Sequence, residues 1–241
     1  MEKIRKGVLE CGVLTSPQQG SGALQAFPVS LCDPRYSWTY FDDFLQTWMG
    51  SAATNIPWIQ TAVGSSGMAP QDGEGGWLKL YTGGSDNNSI EVQSLNEIIK
   101  LAANKPLWFE ARFKVTDVLH SDFSIGLGIH DSTFQVGNSD SVVFRTPLDA
   151  GDGNLHITSI KDSISTDLAN VLALVNDTFV HVGFYFDGEG TVWPYIEGTR
   201  YTAISTNVCD DEELAVTLCL QTNTNAAQYL YVDYVFVAQV R

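Results

Sequence analysis

The sequence predicts an all-β protein, two antiparallel sheets packed face to face as a β-sandwich. Three observations carry that prediction. Apolar and polar residues alternate with a period of two along run after run; Phe109, Ala111, Phe113 and Val115 against Trp108, Glu110, Arg112 and Lys114 is the clearest case. Turn clusters such as TGGSDNNS, HDSTFQVGNSD, PLDAGDGN and QTNTNAAQ separate the runs. The 241 residues, 44% hydrophobic and 11% aromatic with 21 glycines, suffice for one large sandwich with tight turns.

Taken in order, residues 1–35 show no sustained periodicity. LTSPQQGSGALQAFPVSLCDP is rich in Ser, Gly, Gln and Pro and reads as an extended N-terminal arm, with residues 36–241 as the β-sandwich domain. The arm still carries Val8, Leu9, Val13, Leu14, Leu24, Phe27, Val29 and Leu31, which a solvated tail does not need, so it is expected to lie against something. From Tyr36 onward, strands are predicted at GWLKLYT, SIEVQS, PLWFEARFKV, SIGLGI, SVVFRT, NLHITSI, LAVTLCLQ and YLYVDYVFVAQV. Ser94-Leu-Asn-Glu97 fits a capping box and predicts one short helix to about Ala103, ended by Pro106. DLANVLALVND, Asp167 to Asp177, fits either a helical turn or a strand. GSSGM and GSGA read as flexible loops.

The stretch FVHVGFYFDGEGTVWPYIEGT places Val180, Val182, Phe184 and Phe186 on one face, then Val192, Pro194 and Ile196 after a turn. Asp187-Gly-Glu189-Gly between them predicts a β-hairpin, because Gly takes positive φ readily and Asp bonds nearby backbone N–H groups. Pro194 cannot donate to a ladder, which predicts an edge or irregular strand there.

Charge and motifs exclude several functions. The net charge is −15, and no Lys/Arg run exists beyond Lys3-Ile-Arg5-Lys6, so nucleic acid is not an expected partner. Residues 1–35 hold four cations (Lys3, Arg5, Lys6, Arg35) against three acids (Glu2, Glu10, Asp33), a net charge of +1, which leaves a net charge of −16 on the remainder. MEKIRKGVLE is followed by no apolar run and no segment is long enough for a membrane span, so synthesis in a cytoplasm without a signal peptide is expected. Cys11, Cys32, Cys209 and Cys219 form no CxxC pair and read as reduced thiols. His120, His130, His156 and His181 show no zinc-ligand spacing. The loops with Asp149, Asp152 and Asn154, and with Asp86, Asn87 and Asn88, offer oxygen ligands without EF-hand spacing and read as turns. Asp210-Asp-Glu-Glu213 reads as a solvated loop. No GxSxG elbow occurs, and no cofactor or metal is expected.

HVGFYFDGEGTVWPYIEGTR resembles the hairpin of concanavalin A-like and laminin G-like jelly rolls, with Tyr195-Ile-Glu197-Gly198 as the strand end. YFDDFL, Tyr40 to Leu45, resembles the opening strand of tailed-phage virion proteins with this fold, and YLYVDYVFVAQVR, Tyr229 to Arg241, resembles their closing strand. With GWLKLYTGG the resemblance spans roughly residues 36–241.

The resemblance implies a virion structural protein, a capsid decoration or cement protein on the capsid exterior, made in the host cytoplasm. Its expected partners are the major capsid protein and further copies of itself, a trimer being the oligomer that the resemblance implies. The arm would make the attachment, through Lys3, Arg5, Lys6, Val8, Leu9, Leu14, Leu24 and Phe27. The protein is expected not to be an enzyme: glucanases of similar fold carry an E-x-D-x-x-E strand, which is absent, and Glu110 shares its face with Arg112 and Lys114. Loss of turnover on mutating Glu110 or Glu189 would point to a glycosidase instead. The alternative is a glycan-binding module of a fibre or tail that engages host surface glycans. Trp108, Trp193 and Tyr195, read as lying opposite the core faces of their strands, are the interface or glycan-stacking candidates.

Overall fold

The computed structural model describes residues 34–45, 58–72, 75–130, 138–149 and 151–241. Among these residues the chain forms fifteen strands and no helix. In chain order they are β1 (Ser37–Asp42), β2 (Trp58–Ala62), β3 (Gly67–Gln71), β4 (Trp77–Tyr81), β5 (Ser89–Ser94), β6 (Leu107–Val115), β7 (Ser121–Gly128) and β8 (Ser141–Arg145). Then follow β9 (Asn154–Lys161), β10 (Ile164–Ala173), β11 (Val180–Phe186), β12 (Val192–Ile196), β13 (Thr199–Arg200), β14 (Ala215–Thr222) and β15 (Tyr229–Val240).

The strands make two antiparallel sheets. The eight-stranded sheet runs β13-β12-β11-β6-β15-β4-β3, with β1 also on β15; the seven-stranded sheet runs β10-β9-β8-β7-β14-β5-β2. Their inner faces share one apolar core. Phe109, Ala111 and Phe113 of β6 and Val182 and Phe184 of β11 meet Phe123, Ile125 and Leu127 of β7 and Val216, Leu218 and Leu220 of β14. Phe113 and Phe123 touch across it with centroids 5.0 Å apart. Two facing sheets with interdigitated side chains make the sandwich that the alternation predicts. The two segments that carry the virion-protein resemblance lie together, since β1 pairs with β15 from Ser37↔Val240 to Asp42↔Val235.

The Asp187-Gly-Glu-Gly segment is a turn. Asp187 Oδ1 accepts the N–H groups of Glu189 (2.7 Å) and Thr191 (3.0 Å), while Gly188 and Gly190 take φ of 78° and 95°. Burial pushes the Asp187 carboxyl up, but these backbone donors outweigh it and hold the group below the usual range. Pro194 sits on β12 with its carbonyl accepting from Tyr201, on the side away from β11. The N and C=O of a strand residue point the same way, so the missing donor faces the sheet margin. The open segment is a strand: β10 covers Asp167–Ala173, with its register shifting between Leu168 and Leu172 and φ of 55° at Asn170.

Two expectations are corrected. The helix predicted from Ser94 does not form. Its two capping residues are engaged elsewhere: Ser94 Oγ accepts the N–H of Val216 (3.0 Å), and Glu97 Oε1 accepts that of His130. Ile99 then bridges to Leu214, and long-range bonds thus displace the local ones. The GSSGM loop gives way to β3 at Gly67, where a Cβ would meet the Tyr81 hydroxyl at 2.7 Å. The arm residues Lys3, Arg5, Lys6, Val8, Leu9, Leu14, Leu24 and Phe27 lie outside the described residues.

Candidate functional sites on the two sheet faces

The outer face of the eight-stranded sheet holds the residues that the sequence singled out. Trp108 is 0% exposed, against the expectation of an available ring. It packs with Ala238, Tyr185, Tyr195, Phe236 and Val240, and lies 5.2 Å from the Tyr195 ring. The reason is Gly183 on the adjacent strand: a Cβ there would meet Phe109 O at 2.8 Å and the indole at 3.6 Å. The missing side chain leaves the indole room beside β11. Trp193 is half-buried, with Arg200 4.8 Å above its ring, and Tyr195 is half-buried beside Trp108.

Next to Trp108, Glu110 is 3% exposed and anchors a closed network. Tyr234 donates to Oε1 at 2.7 Å, His181 Nε2 contacts Oε1 at 2.6 Å, and Trp108 Nε1 donates to Oε2 at 2.9 Å. Burial pushes the Glu110 carboxyl up; the bonds from His181 and Tyr234, the His181 charge and the Trp108 bond outweigh it and hold it below the usual range. Burial and then the Glu110 charge push the Tyr234 phenol up, so it stays a donor. Arg112 pairs with Asp233 and lies 4.2 Å above the Phe179 ring, and Lys114 stands about 5 Å from Trp77, Phe179 and Tyr231. A carboxylate that already accepts three donors, and is sealed under them, is a packing anchor. Glu110 therefore does not meet a glycosidic oxygen as a glycosidase acid must, and Glu189 sits in the hairpin turn.

The outer face of the seven-stranded sheet is different, and strand register assembles it. Strand register lines up Thr61, Glu91, Cys219, Ser124, Arg145 and His156 in one row across six strands. The next row holds Gln93, Thr217, Gly126, Val143, Thr158 and Asp167. The middle of this floor is built of small side chains, and Thr217, Cys219, Ser124 and Thr158 are buried. At Gly126 a Cβ would meet Val142 O at 2.3 Å, which keeps the floor low between β7 and β8.

On one flank stand three coupled groups. His156 Nδ1 contacts Asp167 Oδ2 at 2.8 Å, and Thr158 Oγ1 donates to Asp167 Oδ1 at 2.6 Å. Asp167 thereby fixes the proton on Nδ1 and leaves Nε2 to the site. That Nε2 is buried without a hydrogen-bond partner, and so is Nε of the neighbouring Arg145. Burial draws the Arg145 guanidinium below its usual range, with the Asp167 charge opposing. Chemically the pair presents a donor beside a nitrogen that accepts a hydrogen bond or a proton, the arrangement of an oriented base next to a positive charge. Register alone brings Arg145 and His156 together. The signal available in the sequence was an ionisable side chain, Arg145 and His156, on each of two successive predicted strands, SVVFRT and NLHITSI.

Among the described residues no group of three His, Cys, Asp or Glu side chains is placed to hold a metal ion. The two oxygen-rich loops bond within themselves and to their surroundings: Asn154 N–H to Asp152, Asn87 to Asp86, and Gln221 to Asn87. The acidic loop is tied down at its ends, Asp210 and Asp211 by Lys161 and Glu213 by Lys100. Cys209 is a buried free thiol, and the buried Cys219 Sγ lies 4.0 Å from Glu91 Oε1.

Neither a family model nor a curated protein sequence matches the chain. Solved structures do. A protein of unknown function from Shewanella oneidensis MR-1 superposes with a TM-score of 0.59 at 16% identity, covering 85% of this chain and 87% of that one. An endo-1,3-β-glucanase from Streptomyces sioyaensis gives 0.57 at 14% identity over 86% and 97%. An endo-β-1,4-glucuronan lyase from the fungus Trichoderma reesei gives 0.53 at 12% over 82% and 94%. The chain therefore has the concanavalin A-like jelly-roll fold of the glucanases. These neighbours overturn the expectation that the protein is not an enzyme: the same fold carries glucanases and a lyase, so the missing E-x-D-x-x-E strand removes one catalytic arrangement and not the class.

Proposed function

We propose that the protein is a tailed-phage virion protein that engages carbohydrate on the outer face of its seven-stranded sheet. The observation that supports this best is the adjacent pair Arg145 and His156, whose Nε and Nε2 are buried without partners. An unsatisfied buried polar atom costs about 1–3 kcal/mol, and two side by side on a small-residue floor mark a place where a ligand supplies the missing bonds. A sugar hydroxyl donates and accepts at once, so it answers both nitrogens. The jelly-roll fold, shared with enzymes named for their action on polysaccharides, supports the reading by analogy. The virion setting rests on the resemblance of β1 and β15. Calorimetric titration of the full chain with an oligosaccharide panel tests it. Binding that weakens about tenfold or more in both Arg145→Ala and His156→Ala supports the site; binding that both variants retain refutes it.

A second reading, attachment to the shell as a decoration protein, is favoured by one observation. The first thirty-five residues carry a net charge of +1 ahead of a remainder with a net charge of −16. Co-sedimentation with undecorated shells of the major capsid protein tests it, with light scattering to test for a trimer. A chain lacking residues 1–35 that pellets as well as the full chain would remove the arm from the account.

A further inference from the structure

Among the described residues, Arg145 combines a half-buried side chain with a buried Nε that has neither a hydrogen-bond partner nor a carboxylate within reach. Lys100, Arg112, Lys114 and Lys161 each reach a carboxylate within 4.0 Å. Arg145 reaches none among the described residues, although the chain carries 28 Asp and Glu against 13 Lys and Arg. The one carboxylate whose charge it senses, Asp167, already spends both oxygens on His156 and Thr158. A partly buried guanidinium without a counter-charge is a standing cost, and it is relieved by an anion. His156 adds a second requirement. With Nδ1–H given to Asp167, its Nε2 asks for a donor within one side-chain spacing of that anion, because Arg145 and His156 are directly opposed on β8 and β9.

We propose that the ligand of this face is an acidic sugar, a uronate unit whose carboxylate accepts from Arg145 and whose neighbouring hydroxyl donates to His156. A uronic acid carries both groups on one ring, at the separation of neighbouring side chains. A neutral hexose supplies the hydroxyl and leaves the guanidinium uncompensated. A carboxylate peptide supplies the anion but no ring hydroxyl beside it. The inference rests on the carbohydrate reading of the same face.

The test uses the full chain and four probes: an oligogalacturonate, its methyl ester, a neutral cello-oligosaccharide and an oligoglutamate of matched length. Calorimetry measures each against wild type, Arg145→Gln, Arg145→Lys and His156→Gln, with thermal melts to confirm folding. The expected result is that wild type binds the oligogalacturonate about tenfold or more tightly than its methyl ester, the worth of one charge-assisted bond. Arg145→Gln erases that difference, Arg145→Lys keeps part of it, and His156→Gln weakens acid and ester alike. Ester and neutral oligosaccharide binding as tightly as the acid overturns the acidic-sugar inference and leaves the carbohydrate reading standing. Equal binding of oligoglutamate overturns the requirement for a sugar ring. Binding of none of the sugars overturns both the inference and the reading beneath it.

Discussion

Replacing Asp122 with Asn should stabilise the protein at neutral pH and not at acid pH. Asp122 is 2% exposed on β7, with Asp149 N–H bonded to Oδ2 at 3.0 Å and Asn223 only at 3.4 Å from Oδ1. Burial, with the charges of Asp149 and Asp86 added, pushes its carboxyl up from 3.8 to about 6, the two hydrogen bonds offsetting only part. The folded protein thus holds the proton more tightly than the unfolded chain. That contribution is complete below 3.8 and is lost as pH rises through about 6. A shift of about two units corresponds to at most about 3 kcal/mol at pH 8. Asn keeps an oxygen for the Asp149 N–H and carries no charge, so most of this should appear as a gain. Urea unfolding of both proteins at pH 3.5 and pH 8 measures it. The expected gain of about 2–3 kcal/mol at pH 8 should vanish at pH 3.5. An equal loss at both pH values would refute the reasoning and show that the hydrogen bonds, not the buried charge, govern this position.

Three further outcomes follow from the eight-stranded sheet. Glu110→Gln should cost about 3 kcal/mol at pH 7, since a buried anchor loses its charge to three donors; because the folded carboxyl is held below its ordinary 4.5, the gap to wild type should close as pH falls through that lower value, as urea midpoints would record. Trp108→Ala should cost about 3–5 kcal/mol as a core truncation, whereas Trp193→Ala should stay near or below about 1 kcal/mol, a contrast read by thermal melts. Gly183→Ala should cost about 1–3 kcal/mol, because its Cβ meets backbone at Phe109 O, which cannot move aside as a side chain can.

The strands were legible where apolar residues recur at every second position. In β6, β11, β12 and β15 the period-two alternation names the core residues directly, and the Asp-Gly-Glu-Gly turn follows from residue chemistry. β2 and β3 were not legible, because WIQTA and GMAPQ are short margin strands with little apolar alternation, and Pro70 argues against a ladder. The false helix shows the limit of local patterns: Ser94 and Glu97 have the capping spacing, but Val216 and His130, distant in sequence, take their oxygens. Trp108 was misplaced for a related reason. Alternation correctly puts it on the outer face, yet only the pairing Gly183↔Glu110 shows that a glycine lies beside it and lets neighbouring rings close over. The candidate ligand face was illegible because its members come from β5, β7, β8, β9, β10 and β14, and strand register, which the sequence does not display, aligns them.

The central claim, that carbohydrate lies on the outer face of the seven-stranded sheet, is tested most directly by mapping backbone amide shifts in NMR spectra as an oligosaccharide is titrated in. The account predicts that the perturbed amides centre on Ser124, Arg145, His156 and Asp167. Shifts centred instead on Trp193, Tyr195 and Arg200, on the opposite sheet, would contradict it.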